Sequence, residues 1–158
     1  MFRAVIVSDA LLYRQGLSQI LRNDDRVAIT YDGASCEEVL NHLREATVDV
    51  VLLDIAMPDS LQTSRNIRSS SPDTKIVALG VIETPTSIIA CAEAGVSGYV
   101  CRGGSLADLV RAVECATNGE LDCSRQIAGA LMKAVAGCTR GQAIGAGRLL
   151  LTDRKSVV

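Results

Sequence analysis

The stretch Val48-Asp49-Val50-Val51-Leu52-Leu53-Asp54-Ile55-Ala56-Met57-Pro58 decides the fold. From Val48 to Leu53 every residue except Asp49 is a branched aliphatic, and the run is stopped by an acid and then a proline. A run this short and this apolar reads as a strand buried on both faces rather than as a helix. Asp54 stands where that strand leaves the core. In an open parallel sheet, side chains at the carboxyl ends of strands line the ligand crevice, so a carboxylate at this tip is a site candidate.

On either side of this strand the chain alternates two signals. Ala4-Val5-Ile6-Val7 is a short buried strand ending at Ser8-Asp9, and Leu11, Leu12, Leu17, Ile20 and Leu21 then recur at helical spacing. Val27 to Tyr31 is a second strand closed by Asp32-Gly33, and Ser35 caps a helix carrying Val39, Leu40 and Leu43. After the central strand comes a helix weak in apolar residues, with Leu61 and Ile67. Lys75 to Leu79 forms a fourth strand ending at Gly80, and a helix from about Pro85 to Ala94 has proline in its first turn. Tyr99-Val100-Cys101 is the fifth strand, and Ser105 caps a helix through Leu106, Leu109, Val110 and Val113.

Five strands alternating with five helices suit a doubly wound parallel sheet. We expect a flavodoxin-like (βα)5 fold of strand order 2-1-3-4-5. Ile127, Leu131 and Val135 then predict a sixth helix whose apolar stripe needs a cover, and the four glycines of Gly137 to Gly147 read as a flexible linker. The expected organisation is a domain over 1–118, a linker helix over 119–137, a glycine-rich linker over 138–150 and a further element starting at 151–158.

Composition narrows the function classes. The 158 residues are 48% hydrophobic, enough for a full core. A formal net charge of -2, with scattered basic residues, leaves no electrostatic footprint for nucleic acid in this chain. No apolar run approaches the roughly 20 residues of a membrane span, and Met1 to Asp9 runs directly into a strand without a signal-peptide pattern; the expectation is a cytoplasmic protein. The six cysteines (Cys36, Cys91, Cys101, Cys115, Cys123 and Cys138) form no C-x-x-C pair, and His42 is the single histidine. They read as reduced thiols used as small apolar residues, and His42 as a surface residue.

The strand order brings chemistry together. The first and third strands are neighbours about 4.8 Å apart, so Asp9 and Asp54 are expected to face each other and to seat a hard divalent cation such as magnesium. The fourth and fifth strands deliver Gly80 and Arg102 to the same edge, where a guanidinium is favourable beside carboxylates or a phosphate. Arg102 is equally readable as a solvated surface charge. Cys101 has two readings: a thiol acidified by Arg102, or a buried strand residue.

Three stretches together, Val5 to Leu17 (VIVSDALLYRQGL), Asp54 to Pro58 (DIAMP) and Gly98 to Arg102 (GYVCR), resemble the receiver domain of two-component response regulators, in the subfamily that joins a receiver to a LuxR/NarL-type helix-turn-helix. The resemblance covers residues 1 to about 118. It implies that Asp54 is the phospho-acceptor, that Asp9, Asp54 and the Ala56 backbone carbonyl hold magnesium, and that Tyr99 is the aromatic that reports the switch. It also implies phosphorelay signalling, a sensor histidine kinase or other protein as partner, a homodimer, and DNA contact only through a C-terminal domain missing from this chain.

The departures from the family pattern are as informative. Ser8 stands where the first of two adjacent acids is usual, Gly80 where threonine or serine is usual, Arg102 in place of the family lysine, and Gly103 where an acid or proline follows. The segment after Pro58 is about two residues short and lacks the usual glycine. A neutral serine weakens magnesium binding through lost charge, so the metal is expected to be weak or absent. Gly80 removes a hydroxyl that would bind a phosphoryl oxygen, and Arg102 could pair directly with Asp54. The expectation is an atypical receiver; the alternative is a phosphorylation-independent pseudo-receiver, a dimerisation or interaction module using the fourth helix, fifth strand and fifth helix, or the 124–136 helix. Ile88, Ile89, Val96, Leu109 and Val113 are candidates for that face or for the core.

Enzyme readings fit less well. A phosphatase of the haloacid dehalogenase type would resemble D-x-D, but position 56 is alanine, so the general acid is missing. A flavin carrier would need a phosphate loop after the first strand, where Asp9 would oppose the phosphate. Leu149 to Val158 resembles the opening of a LuxR-type domain, with Thr152 as a helix cap; an unstructured tail is the plain alternative.

Overall fold

The computed structural model describes residues 1–145, with side chains described through residue 137. Its elements alternate as expected: β1 Phe2–Val7, α1 Leu11–Leu21, β2 Val27–Gly33, α2 Cys36–Glu45, β3 Val50–Asp54, α3 Ser60–Ser70, β4 Lys75–Val81, α4 Pro85–Glu93, β5 Gly98–Cys101, α5 Leu106–Thr117 and α6 Arg125–Gly145. The five strands form one parallel sheet in the order β2-β1-β3-β4-β5, which is the expected flavodoxin-like order. β3 is its centre, with Leu53 paired to Val7 on one side and Ala78 on the other.

The pleat of β3 divides the core. Successive strand residues point to opposite faces: Val50 and Leu52 join a cluster with Leu21, Leu109 and Val113 of α1 and α5, while Val51 and Leu53 join one with Val39 and Ile67 of α2 and α3. All four β3 aliphatics have zero exposure. A third cluster lies at the β4–β5 edge, where Ala78, Val81, Ile88, Cys91 and Tyr99 are joined by Ile127 of α6. Ile127 and Leu131 of the α6 stripe therefore find cover on α4 and β5, while Val135 is exposed.

Local signals in the sequence hold the helix ends. The Ser35 hydroxyl accepts from the Glu38 amide, Thr84 caps α4 with Pro85 in the first turn, and Ser105 with Asp108 forms a reciprocal capping box. The short segment after Pro58 turns on Asp59, whose φ of 57° lies in the left-handed region; aspartate is one of the few residues besides glycine that visits it readily.

Three expectations change. Leu11, Leu12 and Ile20 of α1 are exposed, Leu12 by 85%, and only Leu21 of that stripe is fully buried. His42 is half-buried and stacks on Tyr31 at 4.6 Å, with Nε2 buried and unbonded among the described residues. Of the candidates for an outer face or the core, Leu109, Val113 and Ile88 take the core position. The sixth helix begins at Arg125 and runs through Gly145, over glycines that read as a linker. A glycine costs a helix about 1 kcal/mol and does not by itself stop it. The tail at 149–158 lies outside the described residues. The five described cysteines carry free thiols.

Leu52→Ala removes a side chain at the centre of the sheet. It is expected to lower unfolding free energy by about 2–5 kcal/mol, measured by urea denaturation, with the slope of the transition unchanged.

Candidate functional site

β3 delivers Asp54 to the carboxyl edge of the sheet, half-buried, with both carboxylate oxygens engaged. The Ser8 hydroxyl donates to Oδ2 at 2.7 Å, and the Ala56 amide donates to Oδ1 at 3.0 Å. Ser8 extends β1: its amide bonds to the Gly33 carbonyl and its side chain has zero exposure. Its Oγ also accepts from the Ala10 amide at 3.2 Å. Arg14 of α1 fixes this turn from beside it, donating to the Ser8 carbonyl and to Asp32 at 2.9 Å.

Asp9 is exposed, and no hydrogen bond or ion pair joins it to Asp54 among the described residues. The expected face-to-face pair of acids is thus replaced by a serine–aspartate contact. The reason is the alternation of a strand leaving the core: Ser8 points inward and its neighbour outward. Asp9, Asp54 and the Ala56 carbonyl remain as oxygen donors on this edge. As a donor set they suit a hard cation in kind, with two carboxylates and Ser8 as a neutral neighbour.

Gly80 and Arg102 reach the edge as expected. They line one cavity together with Ile55 and Ala56, and a second with Tyr13 and Leu106. Gly80 has a φ of +79° and sits where the β4–β5 register slips, since Leu79 pairs with Val100 and Val81 with Cys101. A Cβ added there would meet nothing within 4 Å, so conformation rather than space favours glycine. Arg102 is exposed, and among the described residues it forms no ion pair; the direct Asp54 pairing does not occur.

Tyr99 is turned inward, 8% exposed, and its hydroxyl donates to Glu83 at 2.5 Å. Burial, then the Glu83 hydrogen bond and charge, push its phenol well above the ordinary tyrosine value. Cys101 is half-buried at the end of β5, and desolvation, then Glu83 and Asp108, raise its thiol, opposite to an acidification by Arg102. Glu83, Arg14 and Tyr13 are contributors that pattern reading missed. Burial, then the Asp54 carboxylate, raises the Tyr13 hydroxyl. Helical spacing places Tyr13 on α1 but cannot aim it at a strand 40 residues later.

Comparison with known proteins gives a consistent result. Residues 4–114 match the family model described as the response regulator receiver domain. The chain is 36% identical over 133 residues to the response regulator GacA of Pseudomonas viridiflava, covering 81% of this chain and 61% of that protein. Against the response regulator UvrY of Escherichia coli K12 the identity is 28%, covering 81% and 60%. A two-component response regulator of the LuxR family from Aurantimonas sp. SI85-9A1 superposes with a TM-score of 0.72 at 25% identity, covering 86% of this chain and 99% of that one. The chain thus spans about three fifths of the length of these curated relatives.

Two stability measurements follow from this geometry. Gly80→Ala is expected to cost about 1–2 kcal/mol in urea denaturation, from the left-handed backbone alone, although the space around it is open. For Tyr99, the folded protein keeps a proton that the unfolded chain releases above pH 10.0. The folded state then binds more protons, so stability falls as pH rises past 10.0. Tyr99→Phe is expected to lose about 1 kcal/mol near neutrality through the missing hydrogen bond, yet to decline less steeply than the parent above pH 10.0.

Proposed function

The chain belongs to the response regulator receiver domain family, and on that premise we propose that it is an atypical receiver in which Asp54 accepts a phosphoryl group. Receiver domains are signalling modules of two-component systems. The observation that carries the reading is the half-buried Asp54 carboxylate at the tip of β3, engaged by Ser8 at 2.7 Å and by the Ala56 amide. The proposed domain occupies residues 1–118, joined by α6 to a LuxR-type DNA-binding domain through which the whole protein would regulate transcription.

The transfer would form a bond between an Asp54 carboxylate oxygen and phosphorus while the bond from phosphorus to the donor breaks. With a sensor histidine kinase as donor, the departing imidazole nitrogen takes a proton. Each Asp54 oxygen accepts one hydrogen bond and keeps a second lone pair with which to attack phosphorus. The Ser8 hydroxyl rotates about one bond and can follow Oδ2 during the transfer, whereas the Ala56 amide is fixed by the turn. Asp9, Asp54 and the Ala56 carbonyl are the groups that would hold magnesium, which supplies charge neutralisation for the transferred group. With serine in place of a third acid this site is weak, and the transfer is slow. Arg102, at the same edge of the sheet, would meet a phosphoryl oxygen on Asp54.

A second reading, independent of phosphate, is favoured by the third core cluster. Tyr99 is already turned inward onto Glu83, and Ile127 of α6 covers the α4–β5 face. That cover argues against dimerisation through this face; the exposed Leu11, Leu12 and Ile20 of α1, and Met132 and Val135 of α6, offer apolar surface for a kinase, another protein or a second copy. No helix among the described residues is long and apolar enough to cross a membrane, and we place the protein in the cytoplasm.

Incubation with acetyl phosphate and magnesium tests the two readings by mass spectrometry. A slow phosphoryl increment is expected that vanishes in Asp54→Asn and forms about tenfold faster in Ser8→Asp, equivalent to about 1.4 kcal/mol in the barrier. No increment in either the parent or Ser8→Asp would give the function to the phosphate-independent reading.

A further inference from the structure

Beside the phospho-acceptor edge lies a cavity of about 350 Å³ between β4, α3 and α4. This is within the range of small-molecule sites. Its wall is apolar: Ile55 and Leu61 on one side, Val81 and Ile82 on another, Ala90 and Cys91 from α4. The Cys91 thiol is buried and raised by desolvation, so it contributes a neutral wall. Ile82 at the edge is 55% exposed, an apolar side chain left facing water.

The polar groups on this wall are few. Arg102 is the only charged residue lining the cavity, and it has no ion-pair partner among the described residues. Ser60 spends its proton on the Ile55 carbonyl at 3.0 Å. Ser87 accepts from the Thr84 hydroxyl at 3.0 Å, which leaves its own proton free to donate. Gly80 forms the rim, and because a Cβ there would meet nothing within 4 Å, the missing side chain keeps that rim open. By contrast, the neighbouring cavity around Tyr99 is lined by Glu83, Asp108 and Asp122 and would repel an anion.

We infer that this cavity is a binding site for a small carboxylate with a branched or aromatic apolar body, its carboxylate on Arg102 and its body against Ile55, Leu61, Val81 and Ala90. The planar guanidinium matches a carboxylate with two parallel hydrogen bonds. A single cation balances a monoanion, whereas a dianionic phosphate would leave one negative charge uncompensated against apolar walls. The inference goes beyond phosphoryl transfer and concerns the domain with Asp54 unphosphorylated, since a phosphoryl group there would compete for the same guanidinium. Such a ligand would enter where α3, α4 and β4 meet, between the Asp54 edge and the helix that carries α6, giving the domain a chemical input.

Calorimetric titration of the whole chain with phenylacetate and with 4-methylpentanoate tests this, without magnesium or phosphodonor, so that it fails separately from the phosphorylation reading. Binding with a dissociation constant on the order of a millimolar or tighter is expected, and phenylacetamide should bind about tenfold more weakly. Arg102→Gln, at an exposed position, should lose that acid-over-amide preference while still binding the amide. Ala90→Leu should abolish binding of both, with its urea midpoint confirming a folded protein. Absence of heat at millimolar acid, equal affinity for acid and amide, or unchanged acid binding in Arg102→Gln would each overturn the inference. Tighter binding of phenyl phosphate than of phenylacetate would overturn the ligand class.

Discussion

The burial of β3 on both faces is the constraint from which the rest of the molecule follows. Four consecutive aliphatics with zero exposure oblige helices to cover the sheet above and below, and parallel neighbours to flank it. The right-handed crossover rule then sends α1 and α5 to one face and α2 and α3 to the other. A strand so enclosed cannot slide by a residue without drawing Asp49 or Asp54 into the apolar core. The carboxylate at its tip is consequently held in place by the core beneath it rather than by anything at the surface.

At that tip the electrostatics are unusual for a group that would receive an anion. A buried hydroxyl takes the place of a charge: Ser8 satisfies an Asp54 oxygen and draws its geometry from β1, whose turn Arg14 secures. Each carboxylate oxygen has a donor from the protein itself. Around it the cations and small residues are set apart, Arg102 reaching into apolar cavities and Gly80 leaving open the space where a hydroxyl would stand. What remains is a firmly held carboxylate, proposed as the phospho-acceptor, next to hollows lined by Gly80 and Arg102.

Much of this was readable from the chain, and the remainder was unreadable for physical reasons. Strand order, the caps at Ser35 and Ser105 and the proline in the first turn of α4 depend on local pattern or on connection rules, and they stand as expected. The positions of Asp54, Ala56, Gly80 and Arg102 at one edge follow from strand order as well. The facing of Asp9 did not follow, because a single step past the end of a strand reverses a side chain. Helical spacing on α1 gave a stripe but not its neighbours, and Leu12 proved to face solvent. The Tyr99–Glu83 bond and the Tyr31–His42 stack join residues more than ten positions apart, and no periodicity announces such pairs. The length of α6 was hidden by its glycines, which lower helix propensity without forbidding it.

The same α6 has mechanical implications. Ile127 is anchored near its start, Met132 and Val135 stand exposed further along, and the helix continues to Gly145. At 1.5 Å per residue the backbone beyond Ile127 extends about 27 Å. A tilt of about ten degrees at the anchor would therefore move the far end by about 5 Å. The small apolar seat made by Ile88, Cys91 and Tyr99 acts as a fulcrum, and changes in its packing too slight to reshape the sheet are magnified along a rigid arm.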